Sequence, residues 1–412
     1  IHEPNLFSKF IRQGESNLEH IVQIGKDSGN QIERENLYKW LILTNILKLF
    51  SDNQGLETNK DINLLKQFLK KNSGYIDIRE SEIKELIQKQ GFEISLEYLK
   101  RFFTSRLNKS LEIKQEKASF YKLIPHLKEV LLNVLSCQTE KENKNSYVLF
   151  FDDLDISFSA SNPDSVNSIV SLLRVSKEIN NDFFAKNNLD SKVVILLRDD
   201  ISKSLATINS DTAKIFSSYA AYINWYQDEY HNSDDEIKLN IRSFINDRIK
   251  YAFESIGLEV NKDDPWLSLV QDPFKNSQDS NKSSFKYILD HTLFRPRDLL
   301  LFFKPLSTHK YTTPLSKPDV NHLIGRYCEE LVNELKNELS CFYNETQIIT
   351  IMNAIGEISS ECKSTPSGIR YHDAIKIIDQ NCNGVNAANL LEDMFNRSLI
   401  GNMAPNGYYY FK

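Results

Sequence analysis

The sequence predicts an α/β fold: a core built on a parallel sheet, a largely helical insertion and lid, and a C-terminal winged helix. Three observations carry that expectation. Two short apolar runs, Tyr147-Val148-Leu149-Phe150-Phe151 and Val193-Val194-Ile195-Leu196-Leu197, flank an amphipathic helical segment, the βαβ spacing of parallel strands. Long stretches on either side repeat apolar residues every three or four positions, the helical period. The C-terminal residues 346–411 show three short helical patterns followed by two strand-like runs.

In chain order, residues 1–135 are expected to be almost wholly helical, with the clearest periodicity at 37–50 and 64–69. The charged stretches 83–89 and 107–117 have the pattern of solvated helix faces. The run 147–151 predicts a strand buried on both faces. The segment 163–187, with Val166, Ile169, Val170, Leu173 and Ile179 on one side, predicts the crossover helix into the strand at 193–197. A weaker run, 220–225, is expected to add a third parallel strand. Helices at 234–256, 284–305 and 317–340 follow, then helices at 346–360, 368–380 and 386–397. Leu399-Ile400-Gly401-Asn402 and Gly407-Tyr408-Tyr409-Tyr410-Phe411 would form the wing hairpin. The implied domains are 1–50 (helical N-terminal part of the core), 51–115 (helical insertion), 116–230 (α/β core), 231–335 (helical lid) and 336–412 (winged-helix-like).

Composition narrows the function classes. The chain has 412 residues, 41% hydrophobic and 26% charged, ordinary values for a folded multidomain protein. No apolar run reaches the roughly 20 residues that span a bilayer, since even 40–50 is interrupted by Thr44, Asn45 and Lys48, so no membrane segment is expected. Five widely spaced cysteines without a CxxC pair fit free thiols in a reducing cytoplasm. A net charge of −6 makes the whole chain no counterion for nucleic acid, and any such binding must come from a local patch.

Chemistry is expected first where the apolar run ends in Asp152-Asp153-Leu154-Asp155. Acidic residues at the carboxyl end of a parallel strand lie in the crevice where α/β sheets bind ligands, and an apolar strand ending in Asp is the Walker B pattern. Asp152 would hold Mg²⁺, and Asp153 would stand where a carboxylate activates water. The alternative is an acidic turn that caps the next helix. Leu196-Leu197-Arg198-Asp199-Asp200-Ile201 places Arg198 at the exit of the next strand, expected beside Asp153 and able to sense a γ-phosphate or orient the attacking water; the alternative is a strand end paired with Asp199 or Asp200. Phe294-Arg295-Pro296-Arg297-Asp298-Leu299 predicts a helix start with proline in its first turn, offering Arg295 and Arg297 to a phosphate, or alternatively tying the lid down through an Arg–Asp network.

Taken in order with Leu172-Leu173-Arg174, Glu178-Ile179-Asn180, Asn224-Trp225 and Ile400-Gly401-Asn402, these strings resemble bacterial P-loop NTPases of the AAA+/STAND kind, relatives of the KAP-type NTPases that occur in phage-defence loci. The resemblance covers residues 116–412. It implies ATP and Mg²⁺ as the cofactors of an ATPase whose nucleotide state controls an effector protein or a self-oligomer in antiviral defence. The group's glycine-rich loop, GxxxxGK[ST], does not occur in the chain, and Arg12-Gln13-Gly14-Glu15 and the string 23–29 have neither its spacing nor a convincing preceding strand. The chain opens on Ile1 rather than methionine, and the loop is expected upstream. Two alternatives are a non-hydrolysing scaffold of the same fold and a winged-helix DNA-binding regulator. The candidate reading helix of the latter carries Glu392 and Asp393 against Arg397, a poor match for phosphates.

Overall fold

The computed structural model describes residues 5–12, 34–53, 60–76, 93–139, 145–156, 158–208, 210–223, 225, 236–275, 281–364, 368–396, 399–403 and 409–410. Residues 13–15 and 23–29 of the near-miss glycine strings, the charged stretch 83–89, Asn224 and residues 404–408 of the C-terminal hairpin lie outside them. The chain divides into two compact units, Ile1–Ala220 and Ala221–Lys412. It is mixed α/β and mostly helical.

The first unit is built on a three-stranded parallel sheet in the order β1 (Leu6–Arg12), β4 (Ser146–Asp152), β5 (Ser191–Ile195). Strand β4 stands where its apolar run places it, while β5 starts two residues ahead of the run 193–197 and ends at Ile195, leaving Leu196 and Leu197 beyond the strand. The third strand does not stand where expected: Ala220 to Ile223 are exposed and outside any strand, and β1 fills the place beside β4, in a region expected to be helical. Ser8, Lys9 and Arg12 interrupt the apolar residues of β1, so it lacks the continuous run that marks the other two. Burial also differs from the expectation of two covered faces. Tyr147, Leu149 and Phe151 are buried, whereas Val148 and Phe150 are only half-buried, with Phe150 stacked 4.7 Å from the exposed Phe10.

The covered face meets α1 (Arg34–Asp52), whose residues from Leu37 to Leu47 are buried except Lys39. A helix apolar on nearly all sides belongs inside the protein. Its polar residues are satisfied locally: Thr44 Oγ donates to the Trp40 carbonyl at 2.7 Å and Asn45 Nδ2 to that of Leu41 at 2.8 Å. Asn45 Oδ1 in turn accepts from Lys9 Nζ at 2.7 Å, tying α1 to β1. Among the described residues no helix is long and apolar enough to cross a membrane.

After α1 come α2 (Lys60–Lys71), β2 (Glu93–Ser95), α3 (Glu97–Arg106) and β3 (Lys117–Ser119), which pairs antiparallel with β2. Helix α4 (Phe120–Thr139) then packs on α1, with Trp40 edge-on to Phe120 at 6.2 Å. The crossover helix α5 (Pro163–Glu178) starts with Asn162 accepting from the Asp164 amide, a normal N-cap, and continues as one wide turn, Ile179–Phe184. Asn180 in that turn has a clear task. Leu196 donates its amide to Phe151 and Tyr147 donates to Asp190, so even-numbered residues of β5 face β4 and Val193 faces away. The Asn180 side chain donates to the Val193 carbonyl and accepts from its amide, both at 2.8 Å, closing part of the outer sheet edge.

Glu178 joins three helices, meeting Lys39 of α1 at 2.7 Å and Lys128 of α4 at 3.2 Å. Burial pushes its carboxyl up, but the two ammonium groups pull harder and hold it below the ordinary value. A depressed acid stabilises the fold above its unfolded pKa and loses that contribution as pH falls through the folded one. Glu178→Gln is therefore expected to lower the melting temperature at neutral pH, with the deficit shrinking as pH falls below the ordinary carboxylate range; a deficit that does not change with pH would exclude the ion pairs as its origin. Beyond β5 lie α6 (Asp199–Ile208) and α7 (Ser210–Tyr219).

The second unit opens with α8 (Asn240–Ser255), α9 (Trp266–Leu269), a short ladder of β6 (Phe274–Lys275) with β7 (Asn281–Lys282), α10 (Ser284–Leu289), α11 (Pro296–Phe303) and α12 (Lys317–Leu339). Trp266, Phe285, Phe302 and Tyr327 fill its core. The single helix expected over 284–305 is broken: Phe294 adopts a left-handed φ of +56°, and Arg295 is extended before Pro296, a position where proline disfavours helix. A second core, including Leu339, Ile351, Ile378, Leu390 and Met394, is enclosed by α13 (Glu345–Ser364), α14 (Tyr371–Asn381) and α15 (Ala387–Asn396). The ladder of β8 (Asn402–Met403) with β9 (Tyr409–Tyr410) follows, giving three helices and a hairpin in the expected order.

Candidate functional site

Because β1, β4 and β5 are parallel, their carboxyl ends open on the same side of the sheet, and the polar residues that leave them are brought together. Register places Arg12 opposite Asp152. Asp152 ends β4 half-buried, and its Oδ1 accepts the Asp153 amide at 2.9 Å. Asp153 has a φ of +57°, a left-handed conformation that Asp and Asn tolerate better than other side chains. The turn is closed by amides of Ile156 and Phe158 donating to the carbonyls of Asp153 and Asp155, and it is anchored by the buried Leu154 and Phe158.

The cation facing Asp153 is Arg12, with Nε 3.8 Å from Oδ2. Arg198, expected there, instead engages Asp200 through Nε at 3.1 Å and Nη2 at 2.6 Å, and Asp155 through Nη1 at 3.2 Å. Two of the carboxylates in reach thus fix Arg198, because Asp200 opens α6 two residues along and is locally available for a bidentate pair. The arginine links the turn after β4 to the start of α6. Asp152, Asp153 and Arg198 do share one end of the sheet, with Arg12 the member that sequence reasoning missed. Its only signal was a basic residue closing the alternating segment 6–12.

Arg295 and Arg297 belong to the second unit. Asp298, fully buried, accepts the amides of Leu293 and Arg295 at 3.1 Å each and the Arg295 guanidinium at 3.0 Å. Arg295 also reaches Glu338 at 2.8 Å and Glu334 at 3.3 Å, both on α12. Burial pulls its pKa down, but Asp298 and Glu338 outweigh that and hold it above the ordinary value. Tyr327, buried beside this cluster, has its hydroxyl pushed up by burial and by the Asp298 charge. The side chain of Arg297 is 75% exposed and approaches only Glu334, at 3.7 Å, among the ion pairs of the described residues. Removal of Arg295 leaves a buried carboxylate short of donors, so Arg295→Ala is expected to destabilise the second unit by about 1.5–3 kcal/mol. Arg297→Ala should change stability by no more than about 0.5 kcal/mol in the same urea titration. Equal losses would mean that the two arginines share the structural load.

A further polar cluster was not anticipated. Arg242 on α8 is buried, its guanidinium carbon 4.6 Å from the Trp266 ring centre and 4.4 Å from that of Phe285, and it pairs with Asp264 at 2.7 Å. Asn246 donates to the same Asp264 carboxylate, and Trp266 Nε1 donates to Ser284, which donates to Asp272. The sequence did hold a signal: Arg242 shares the stripe of Ile245 and Ile249, so a cation occupies the inward face of an apolar helix.

Residues 239–336 match the family described as FunZ-associated C-terminal helical domain. The match contains the buried core residues around Trp266, the Arg242 cluster and, except for Glu338, the Arg295 cluster. No curated protein and no solved structure matches the chain. The protein is thus a mixed α/β chain with a three-stranded parallel sheet. Its second unit carries a helical region similar to the FunZ-associated domain.

Proposed function

We propose that the chain is an ATP-binding, Mg²⁺-dependent regulatory or motor subunit of a bacterial antiviral defence system, its nucleotide state controlling an effector protein or its own assembly. The observation that carries this reading is the polar end of the parallel sheet, where Asp152 and Asp153 stand with Arg12 and Arg198 at the exits of three strands. The FunZ-associated match supports the defence setting.

The residues fit one half of such a site. Mg²⁺ commonly takes one or two carboxylates and completes its shell with water and phosphate oxygens, so Asp152, with Asp153 beside it, suffices on the protein side. Among the described residues no three His, Cys, Asp or Glu side chains converge on a metal position. When bound, the metal would supply charge neutralisation at the transferring phosphate. Arg12 and Arg198 would position phosphate oxygens, Arg198 only after exchanging one carboxylate partner, and Arg297 is a further candidate for a phosphate contact.

The test is hydrolysis by the full-length protein with ATP, with and without Mg²⁺, alongside calorimetric ATP binding; residues 1–412 alone, which hold no GxxxxGK[ST] string, are expected to bind ATP weakly or not at all. Mg²⁺-dependent turnover, or saturable binding, supports the proposal. The absence of both would favour the non-hydrolysing scaffold. Arg297→Ala should weaken the nucleotide response about tenfold or more, as expected for one charge-assisted contact.

A further inference from the structure

The helical insertion concentrates positive charge in an acidic chain. Its described residues 60–76 and 93–115 hold nine Lys and Arg against four Asp and Glu, a net +5, whereas the whole chain carries −6. The intervening residues 77–92 add three bases and four acids and leave the balance almost unchanged. Position in the fold decides whether these charges act together.

Helices α2 and α3 pack side by side in opposite directions, pinned at both ends. At one end Asn72, just past α2, accepts the Ser95 amide at 2.9 Å and donates to the Ser95 carbonyl at 3.1 Å. At the other, Ser105 Oγ near the end of α3 donates to Asp61 at 2.7 Å at the start of α2. Leu64, Leu65, Phe68 and Leu69 of α2 and Leu99, Phe102 and Phe103 of α3 are buried. That leaves Lys60, Lys66, Lys70 and Lys71 exposed on α2, and Arg101 and Arg106 exposed on α3. The carboxylates close by are engaged, Glu97 with Arg101 at 2.9 Å and Asp61 with Ser105. Lys66, Lys70 and Lys71 meet no carboxylate among the described residues.

Protein docking sites centre on buried aromatic or aliphatic anchors. Neither α2 nor α3 exposes a large hydrophobic side chain. Between the cations stand Asn63, Gln67, Thr104 and Ser105, all exposed, side chains of the kind that bond phosphate oxygens beside Lys and Arg. Helix α2 is about 18 Å long, enough to follow roughly five nucleotides of one strand. We infer that the paired faces of α2 and α3 bind the phosphate backbone of a nucleic acid without reading its bases. The C-terminal helix α15, whose exposed positions are Ala388, Asn389, Glu392 and Asn396, offers no cation for that purpose. This surface stands apart from the proposed nucleotide chemistry and needs no ATP.

The test is fluorescence anisotropy of the full chain with a labelled DNA duplex of about 30 base pairs, starting near 50 mM salt. Binding is expected in the micromolar range and should weaken steeply with salt, each lysine–phosphate contact contributing roughly 0.9 to the logarithmic slope. The triple variant Lys66→Glu, Lys70→Glu, Lys71→Glu should bind at least about tenfold more weakly, with a slope shallower by roughly 2–3. The triple Lys→Gln variant, with less risk to folding, should lose affinity in the same direction. A control with the same charge change at exposed sites elsewhere, Lys250→Glu, Lys262→Glu, Lys376→Glu, should lose less than about threefold. No binding at low salt, an equal loss in the control, or displacement by polyglutamate as readily as by unlabelled duplex would each overturn the inference, the last pointing to an acidic protein instead.

Discussion

Asp264→Ala is expected to destabilise the second unit by about 3–5 kcal/mol, because it strands a buried guanidinium without its counter-ion. The Arg242 and Asp264 side chains are 5% and 13% exposed, so water cannot replace the lost partner at the observed packing. Burial alone already pulls the Arg242 pKa down, with Asp264 the largest opposing influence. Its Nε and Nη1 have no hydrogen-bond acceptor among the described residues, which leaves the 2.7 Å contact to Asp264 and the rings of Trp266 and Phe285 to hold the charge. The double variant Arg242→Met, Asp264→Ala removes the charge together with its partner and should recover much of the loss, since apolar replacement of a whole buried pair is often neutral or favourable. Urea unfolding followed by tryptophan fluorescence, with Trp266 inside the cluster, measures both. A double variant as unstable as the sum of the singles would show that stacking rather than charge pairing dominates.

Asp152→Ala should reduce Mg²⁺-dependent ATP turnover at least about a hundredfold, as a metal ion supplies several kcal/mol of charge stabilisation in phosphoryl transfer. The half-buried carboxylate also caps the Asp153 amide, so a fold control belongs with it. Asp153→Asn serves the second position better than alanine, since Asn adopts the left-handed φ of +57° with little strain while losing the charge. If Asp152→Ala and Asp153→Asn both hydrolyse ATP at the rate of the unaltered chain, the acidic turn is only a cap for the segment leading to α5. A defect in Asp152→Ala with an intact melting temperature supports the metal role.

The sequence by itself determined the elements with a strong local period. The strands β4 and β5, the crossover helix between them, the proline-led start of α11 and the three C-terminal helices all announce themselves through residues close together in the chain. It also placed Asp152, Asp153 and Arg198 at strand exits, because the end of an apolar run is a local feature. Tertiary structure alone decided what those residues touch. Strand β1 is held by a ladder to residues about 140 positions away, and nothing in its interrupted pattern marks it as a strand until β4 is there to pair with. Arg198 chooses Asp200 and Asp155 over Asp153, and Arg295 chooses Glu334 and Glu338 on a helix some 40 residues further along. The same holds for Arg242, whose place in an apolar stripe becomes reasonable only when Asp264 and two aromatic rings close around it. Period is set by the geometry of one helix or strand, whereas ion pairing in the interior is set by which segments folding brings within about 4 Å, and a linear pattern does not contain that distance.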